Sequence, residues 1–182
     1  MTKTILITGA SSGIGAGMAR EFAQMGYNLA ICARRLERLE TLKQELEQQY
    51  GIRVIAKSLD VTNYDQVFQV FREFKQDFGQ LDRIIVNAGV GEGRRIGKGN
   101  FAINKATVET NFISALAQCE AAVEIFREQN SGHLVMISSM SAIRGMPKHL
   151  TAYGASKAAV AHLAEGIRAE LLNTPIKVTT IF

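Results

Sequence analysis

Tyr153 and Lys157 stand four residues apart in the segment YGASK and could together perform proton transfer. The residues that follow, AAVAHLAEGIRAELL, have a helical pattern, so both side chains should lie on one face, one turn apart. A tyrosine hydroxyl titrates near pH ~10, and a neighbouring ammonium lowers that pKa because it stabilises the phenolate. The pair therefore predicts a general acid–base group. The alternative is an exposed tyrosine that stacks along a lysine stem.

A glycine-rich segment, TGASSGIG at 8–15, follows an apolar run directly and opens a helical pattern. Gly9 permits a tight turn, Gly13 lets the backbone approach a pyrophosphate, and Gly15 allows the helix to pack closely on the strand. Free N–H groups at the positive end of the helix would then meet the phosphates. The alternative is a simple turn. We expect the remaining loop residues to join the cofactor site: Ser11, Ser12 and Ile14.

Short apolar runs alternate with amphipathic segments along the whole chain. We predict strands at 3–8, 28–33, 53–59, 82–87, 132–138 and 177–182, and long helices at 102–129 and 152–172. Most of the strands are nearly continuous in Val, Ile and Leu, which is typical of a parallel sheet covered on both faces. The alternation predicts one α/β domain over residues 1–182, a doubly wound parallel sheet between two helical layers, or Rossmann fold. Ligands of such sheets bind beyond the carboxyl ends of the strands.

The composition favours a globular protein and excludes several classes of function. Hydrophobic residues make up 47% of the 182 residues and charged residues 21%, which suits a real core. The net charge of +4 is spread along the chain, and its one cluster, Arg94, Arg95 and Lys98, lies in a glycine-rich loop. We interpret that cluster as a solvated loop and expect no nucleic-acid partner. The apolar stretch near the N-terminus is too short for a signal peptide or a membrane span, so we expect no membrane association.

The cysteines and histidines indicate neither disulfides nor metal binding. Cys32 and Cys119 fall in apolar patterns without a C-x-x-C motif, which predicts two buried, reduced thiols and a cytoplasmic location. His133, His149 and His162 have no partners at metal-ligand spacing, so we expect no metal.

Five blocks occur in a fixed order along the chain: TGASSGIG at 8–15, LDVT at 59–62, NAG at 87–89, SS at 138–139 and YGASK at 153–157. With these blocks and the glycine spacing G-x-x-x-G-x-G, the sequence resembles the short-chain dehydrogenase/reductase family of nicotinamide-dependent oxidoreductases. The resemblance spans essentially the whole chain. It implies hydride transfer between a nicotinamide cofactor and a small-molecule carbonyl or alcohol. The alternative is a cofactor-binding sensor or scaffold without turnover.

The resemblance implies a catalytic group of Ser139, Tyr153, Lys157 and Asn111. Tyr153 would donate a proton to the carbonyl oxygen, and Lys157 would lower the tyrosine pKa and hold the nicotinamide ribose. Ser139 would hydrogen-bond the substrate oxygen. Asn111 would help to bind a water that relays protons to Lys157. An asparagine inside a predicted helix is locally unfavourable and therefore needs a reason, although a plain exposed asparagine is the alternative.

Ser138 and Ser139 are adjacent, and because side chains alternate along a strand only one should face the site. We choose Ser139 because its spacing to the tyrosine is nearer to that usual in the family, and Ser141 is a further candidate. His149 lies in the loop that leads to Tyr153, where it is either a surface residue or a substrate contact.

The end of the second predicted strand favours NADP(H) as the cofactor. Dinucleotide folds that bind NAD carry an acid there, which holds the ribose 2′-hydroxyl, but this chain has Ala33 followed by Arg34 and Arg35. A guanidinium can bind a 2′-phosphate, and we expect Arg34 to be the main contact and Arg35 the second. The alternative is that both arginines merely begin a charged helix.

The resemblance extends to the adenosine side of the cofactor. It assigns Asp60 and Val61 to the adenine ring. It assigns Asn87, Ala88 and Gly89 to the wall beside the adenosine ribose and to support of the central strand.

The sequence ends at KVTTIF, inside the sixth predicted strand, whereas the family continues beyond it. We therefore expect a truncated chain whose C-terminal substrate lobe is missing. The loop at 89–101 should border the substrate pocket, and its arginines suggest an acidic substrate. By resemblance, the two long helices at 102–129 and 152–172 would form a four-helix interface, which predicts a homodimer or a homotetramer.

Overall fold

A computed structural model of the chain describes residues 2–146 and 149–182. Its six strands form one sheet in which every pair is parallel, in the order β3-β2-β1-β4-β5-β6. The strands are β1 Thr4–Thr8, β2 Asn28–Ala33, β3 Val54–Ser58, β4 Arg83–Val86, β5 Gly132–Ile137 and β6 Ile176–Ile181. The doubly wound parallel sheet expected from the sequence is confirmed, and each strand boundary lies within one residue of its prediction.

In the described part of the chain, six α-helices connect or flank the strands. They are α1 Gly13–Gln24, α2 Leu36–Tyr50, α3 Tyr64–Phe78, α4 Phe101–Val108, α5 Ser114–Glu128 and α6 Thr151–Glu170. A π-helical turn, Glu109–Ile113, joins α4 to α5, so the helix predicted at 102–129 is continuous but changes its repeat in the middle. A short 3₁₀ turn, Met140–Ala142, follows β5.

The sheet is covered on both faces, and alternate residues of each strand enter opposite halves of the core. Leu6 of β1 packs in the cluster that contains Phe71 of α3 and Phe126 of α5. Its neighbours Ile5 and Ile7 pack on the other side, in the cluster that α1 and α2 cover. Burial of each such side chain contributes about 1.5–3 kcal/mol, which explains why the central strands are apolar throughout.

Strand order reverses at β1, because β2 lies on one side of it and β4 on the other. The connections after β1 and β4 therefore diverge at the carboxyl edge and leave a crevice between them. Cys32 and Cys119 are buried and free, as the sequence predicted, and burial raises the pKa of both thiols. Among the described residues, no helix is both long and apolar enough to cross a membrane.

Candidate active site

Two adjoining cavities open at the carboxyl edge of the sheet. The larger cavity has a volume of about 420 Å³ and the smaller cavity about 270 Å³. They share a wall made of Gly9, Ser12, Ala88, Gly89 and Val90. The larger cavity is otherwise lined by Ser11, Ala33, Arg34, Arg35, Leu59, Asp60, Val61, Thr62, Ala106, Glu109 and Thr110. The smaller cavity is otherwise lined by Gly13, Ile14, Gly15, Asn87, Gly91, Ile137, Ser138, Tyr153 and Lys157.

Every residue predicted to bind the cofactor lines one of these cavities. The glycine loop lies at their junction because it packs closely on the end of β4. Gly9 has a φ of +69°, a conformation that glycine adopts without strain. A Cβ atom at Gly15 would overlap the carbonyl oxygen of Gly9 and lie 2.7 Å from Asn87 Nδ2. The close packing that the sequence predicted for Gly15 is therefore present.

Thr8, the last residue of β1, holds the shared wall together. Its buried hydroxyl accepts hydrogen bonds from the N–H groups of Asn87 and Ala88, both at 3.1 Å, and donates to the carbonyl oxygen of Ile85 at 3.4 Å. Asn87 Nδ2 in turn donates to the carbonyl oxygen of Thr8 at 2.9 Å. Sequence reasoning missed this role, although a hydroxyl at the end of an apolar strand, just before a glycine loop, was a usable signal.

The end of β2 brings a pair of exposed arginines to the larger cavity. Arg35 Nη2 donates to the hydroxyls of Ser11 at 3.2 Å and Ser12 at 2.9 Å, so it reaches across to the glycine loop. Arg34 lies near Asp60, and its charge favours the ionised form of that carboxyl. Ala33 lines the cavity where an acidic side chain would otherwise project. Both arginines thus border the same space, and Arg35 makes the direct contacts with the loop.

Asp60 follows β3 and is half-buried in the wall of the larger cavity. Burial alone would raise its pKa, but hydrogen bonds from Thr62 and the charge of Arg34 outweigh burial, and the net pKa is lowered. Asp60 Oδ1 accepts from the N–H of Thr62 at 3.0 Å and from its hydroxyl at 2.7 Å. Val61 lines the cavity beside it.

Glu109 and Thr110 form a wall of the larger cavity that the sequence did not predict. They begin the π-helical turn, and Ala106 of α4 extends the same wall. The hydroxyl of Tyr64, the first residue of α3, donates to Glu109 Oε1. This hydrogen bond, with burial and the charge of the glutamate, raises the pKa of Tyr64 to about 12. No signal in the sequence links these two residues, which are 45 positions apart.

Tyr153 and Lys157 lie in the first turns of α6 and line the smaller cavity together, on the face that the spacing predicted. Tyr153 is half-buried, whereas Lys157 is buried. Lys157 Nζ donates to the carbonyl oxygen of Ile137, at the end of β5, at 2.8 Å. Burial lowers the pKa of this lysine. The ammonium is therefore fixed between strand and helix.

The two adjacent serines after β5 have different partners. The hydroxyl of Ser138 is buried and donates to the carbonyl oxygen of Lys157 at 2.8 Å, which ties β5 to α6. Ser139 is half-buried, and its Oγ accepts from the N–H of Ser141 at 3.1 Å, which caps the 3₁₀ turn. The Ser139 hydroxyl donates no hydrogen bond to any of the described residues. Ser138 lines the smaller cavity and Ser139 does not.

Asn111 is buried in the π-helical turn and lines neither cavity. Its Oδ1 accepts from the N–H of Val90 at 2.8 Å, and its Nδ2 donates to the carbonyl oxygen of Val90 at 2.9 Å and to Ser156 Oγ at 3.2 Å. A Cβ atom at Gly89 would lie 3.0 Å from Asn111 Oδ1 and 3.6 Å from Lys157 Nζ. Asn111 and Lys157 therefore approach the same glycine.

The loop after β4 is tied down on two sides. Asn104 of α4 accepts from the N–H of Arg94 at 2.8 Å, and Thr107 Oγ1 donates to the carbonyl oxygen of Glu92 at 3.1 Å. Gly93 is buried against the backbone of His149, so the loop packs on the segment that leads to Tyr153. Gly91 lines the smaller cavity, whereas Arg94 is exposed.

Comparison with known proteins gives the class of this protein. The family model described as "short chain dehydrogenase" matches residues 3–182. An uncharacterised oxidoreductase from Mycobacterium tuberculosis (strain H37Rv) is 52% identical over 178 residues, which are 97% of this chain and 70% of the relative. The chain belongs to the short-chain dehydrogenase family of oxidoreductases, as the motifs indicated.

Solved structures of the same family share the fold. The NADPH-dependent 3-quinuclidinone reductase from Rhodotorula rubra has a TM-score of 0.91 and 30% identity, over 98% of this chain and 67% of that one. An NAD⁺-bound xylitol dehydrogenase has a TM-score of 0.92 and 27% identity, over 98% of this chain and 68% of that one. The similar structures thus include one described as NADPH-dependent and one bound to NAD⁺.

Proposed function

We propose that this protein is an NADP(H)-dependent oxidoreductase that interconverts a carbonyl group and a secondary alcohol by hydride transfer. One observation carries the proposal: Tyr153 and Lys157 line the same cavity as the glycine loop. A dinucleotide whose phosphates lie at the loop would extend from the larger cavity into the smaller cavity. Its reactive end would then reach the pair best suited to proton transfer.

A bound NADPH would supply the hydride for the carbonyl carbon, and the protein would supply a proton to the carbonyl oxygen. Tyr153 is the proton donor, and in the reverse direction its phenolate removes that proton. Lys157 would stabilise the phenolate by its charge and would hold the nicotinamide ribose. Its buried position, fixed by Ile137, supports this role because a preorganised charge needs no rearrangement during the reaction.

Ser139 and Asn111 complete the proposed catalytic group. The Ser138 hydroxyl donates to the backbone carbonyl oxygen of Lys157, whereas the Ser139 hydroxyl donates to no described residue, which favours Ser139 for the substrate oxygen. Asn111 holds Val90 and approaches Gly89 next to Lys157, a position that supports a water-mediated contact with the lysine.

The preference for NADP(H) rests on Ala33, Arg34 and Arg35. The last residue of β2 is Ala33 and not an acid that would repel a 2′-phosphate, and both arginines border the larger cavity. Arg35 already bridges to Ser11 and Ser12, so a phosphate there would meet a guanidinium and two hydroxyls. The NADPH dependence of the similar 3-quinuclidinone reductase is consistent with this choice.

We further propose that residues 1–182 act as one domain, in the cytoplasm, within a homodimer or homotetramer. The oligomer would use α5 and α6. Leu116 is exposed on α5, and the exposed Leu172 lies just after the end of α6. Solution scattering measures the mass of the assembly, and a monomeric mass would contradict the proposed oligomer.

The cofactor proposal is tested by titrating the protein with NADPH and NADH, followed by fluorescence. We expect NADPH to bind at least about tenfold more tightly, because a phosphate–guanidinium pair contributes roughly 1.5–3 kcal/mol. Arg35→Ala and Arg34→Ala should each narrow that ratio. Arg38→Ala, which removes an exposed arginine that lines neither cavity, is the matched control and should leave the ratio unchanged. Equal binding of both cofactors would refute the preference.

The catalytic proposal is tested with Tyr153→Phe in a screen of ketones and aldehydes monitored by NADPH oxidation. We expect the turnover number to fall by about 10²-fold or more, while the Kd for NADPH changes less than about twofold. Tyr27→Phe, at the opposite end of the sheet, is the control and should retain activity. A fully active Tyr153→Phe variant would sink the proposed role. Cofactor binding without turnover of any carbonyl would instead favour a sensor or scaffold.

A further inference from the structure

Another cavity, which we call the amino-edge cavity, lies where β4, β5 and β6 begin. Its volume is about 250 Å³, and its lining includes Lys3, Asp82, Arg83, His133 and Lys177. The larger and smaller cavities lie at the other, carboxyl edge of the sheet. β5 has six residues, which at about 3.3 Å per residue separates the two edges by roughly 20 Å. A ligand of the amino-edge cavity would therefore not touch the proposed cofactor site.

Three basic side chains of this cavity come from neighbouring strands at one register. Arg83 of β4 pairs with His133 of β5, and His133 pairs with Lys177 of β6. Because side chains alternate between the two faces along each strand, residues paired in this way project from the same face of the sheet. Lys3, just before β1, lines the cavity from the other side. The parallel register thus collects three cationic side chains around one histidine.

The positive charges of the cavity have little compensation. Asp82 is the one carboxylate among the described lining residues, and its Oδ2 already accepts from the N–H of Thr4 at 2.7 Å. Within the described part of the chain, no ion pair includes Lys3, Arg83 or Lys177. Three cations against one carboxylate leave a net positive charge, which favours an anionic ligand.

The Arg83 side chain is held in place while part of its guanidinium stays free. Its Nε donates to His133 Nδ1 at 3.2 Å, and its guanidinium carbon lies 5.5 Å from the centre of the Phe22 ring. Because Nδ1 accepts this bond, the proton of the neutral imidazole is on Nε2, which donates to Thr179 Oγ1 at 2.9 Å. Neither Nη atom of Arg83 donates to a described residue. The guanidinium is therefore oriented, with two NH₂ groups available to a ligand.

We propose that Arg83 and Lys177 bind a phosphate group in the amino-edge cavity, either free phosphate or the phosphate of a small ester. A guanidinium offers paired donors that match phosphate oxygens, and an ammonium adds a compact charge. A phosphate monoester carries about −1.5 to −2 charges at pH 7, which suits the excess of cations. This inference does not depend on the proposed oxidoreductase function, because neither residue lines the larger or the smaller cavity.

The experiment follows the ring signals of His133 by NMR while sodium phosphate replaces sodium chloride at constant pH and ionic strength. The chain has three histidines, so His133→Gln assigns the signals. Burial and the charges of Arg83 and Lys177 lower the pKa of His133, and a bound dianion should raise that pKa again. Phosphate at the glycine loop, at the other edge of the sheet, should not move these signals. We expect a saturable change, which gives the Kd for phosphate.

Two substitutions test the proposed ligand contacts. Arg83→Gln should weaken phosphate binding by about tenfold or more and Lys177→Gln by about fivefold or more, because each removes a charged donor. Lys177 is exposed and its side chain makes no hydrogen bond with the described residues, so its replacement should leave the fold intact. Arg38→Gln and Lys105→Gln are the matched controls. They remove an exposed arginine of α2 and an exposed lysine of α4 outside the cavity, and should leave the Kd unchanged.

The choice of anion separates the possible ligands. Tighter binding of inorganic phosphate than of glycerol 3-phosphate would identify free phosphate as the ligand, and the reverse order would identify an ester. Equal binding of malonate, a dicarboxylate, would overturn the assignment to phosphate. The inference is also wrong if the His133 signals show no saturable change, or if the Kd is the same in the unmodified protein, Arg83→Gln and Lys177→Gln. None of these outcomes depends on whether the protein binds a dinucleotide.

Discussion

The larger and smaller cavities share the glycine loop, yet their polar side chains are held in different ways. In the larger cavity Arg34 and Arg35 are exposed and their charges remain available to a ligand. In the smaller cavity Ser138 and Lys157 are buried and bond to backbone carbonyl oxygens. The first arrangement suits recognition of a charged group that arrives from solvent. The second suits chemistry, which requires a fixed position more than a strong attraction.

The wall between the cavities offers the most severe way to disturb both at once. Gly15→Ala should lower the free energy of unfolding by about 3 kcal/mol and weaken dinucleotide binding, because its Cβ would overlap Gly9 and crowd Asn87. Gly17→Ala is the control, since nothing lies within 4 Å of a Cβ there. This change should raise the free energy of unfolding by about 0.5–1 kcal/mol. Urea denaturation measures both. If the two variants were equally stable, the tight wall would be absent.

The hydroxyl of Thr8 is the next most sensitive point of the shared wall. Thr8→Val should cost about 2 kcal/mol of unfolding free energy, because the half-buried N–H groups of Asn87 and Ala88 lose the buried hydroxyl that accepts from them. Thr41→Val, on the exposed face of α2, removes a hydroxyl that only bonds within its own helix. It should change stability by less than about 0.5 kcal/mol. Thermal or urea unfolding of the two variants distinguishes a hydroxyl that stabilises the fold from one that does not.

Lys157→Met tests how much the buried ammonium in the smaller cavity lowers the free energy of unfolding. Burial lowers the folded pKa of Lys157 below its ordinary value of 10.5, so between those two values the unfolded chain binds more protons. Stability should therefore rise with pH in that window, by at most about 1.4 kcal/mol per pH unit for one proton. Lys157→Met should lack this rise, and Lys105→Met, which removes an exposed lysine of α4, should keep it. Urea unfolding at several alkaline pH values measures the slope, and identical slopes in all three proteins would contradict a buried ammonium.

Local patterns predicted the sheet and the shared face of Tyr153 and Lys157 for physical reasons. Apolar runs identify buried parallel strands, and the four-residue spacing of Tyr153 and Lys157 follows from one helical turn. The absence of an acid at Ala33 was likewise visible without a structure. These features depend on residues close together in the chain, where periodicity and turn chemistry carry the information.

The missed features depend on contacts between distant segments. Thr8 meets Asn87 across 79 positions and Tyr64 meets Glu109 across 45, so neither contact leaves a periodic trace. The π-helical turn did leave a signal in the sequence, an asparagine in the interior of a helix. The hydrogen bonds between Asn111 and the backbone of Val90 explain that residue. Side-chain pairing after β5 was also unreadable, because the partner of Ser138 is a backbone carbonyl on α6.

The π-helical turn also sets the rotational phase between α4 and α5. Upstream of it, Asn104 and Thr107 hold the loop after β4, and downstream Cys119 and Phe126 enter the core. If Glu109–Ile113 were α-helical instead, one half would be turned by about 100°, the rotation of one residue, relative to the other. Either the loop or the core would then lose its contacts. The wide turn thus lets one continuous helix serve two faces of the molecule that a uniform helix of the same length would leave out of register.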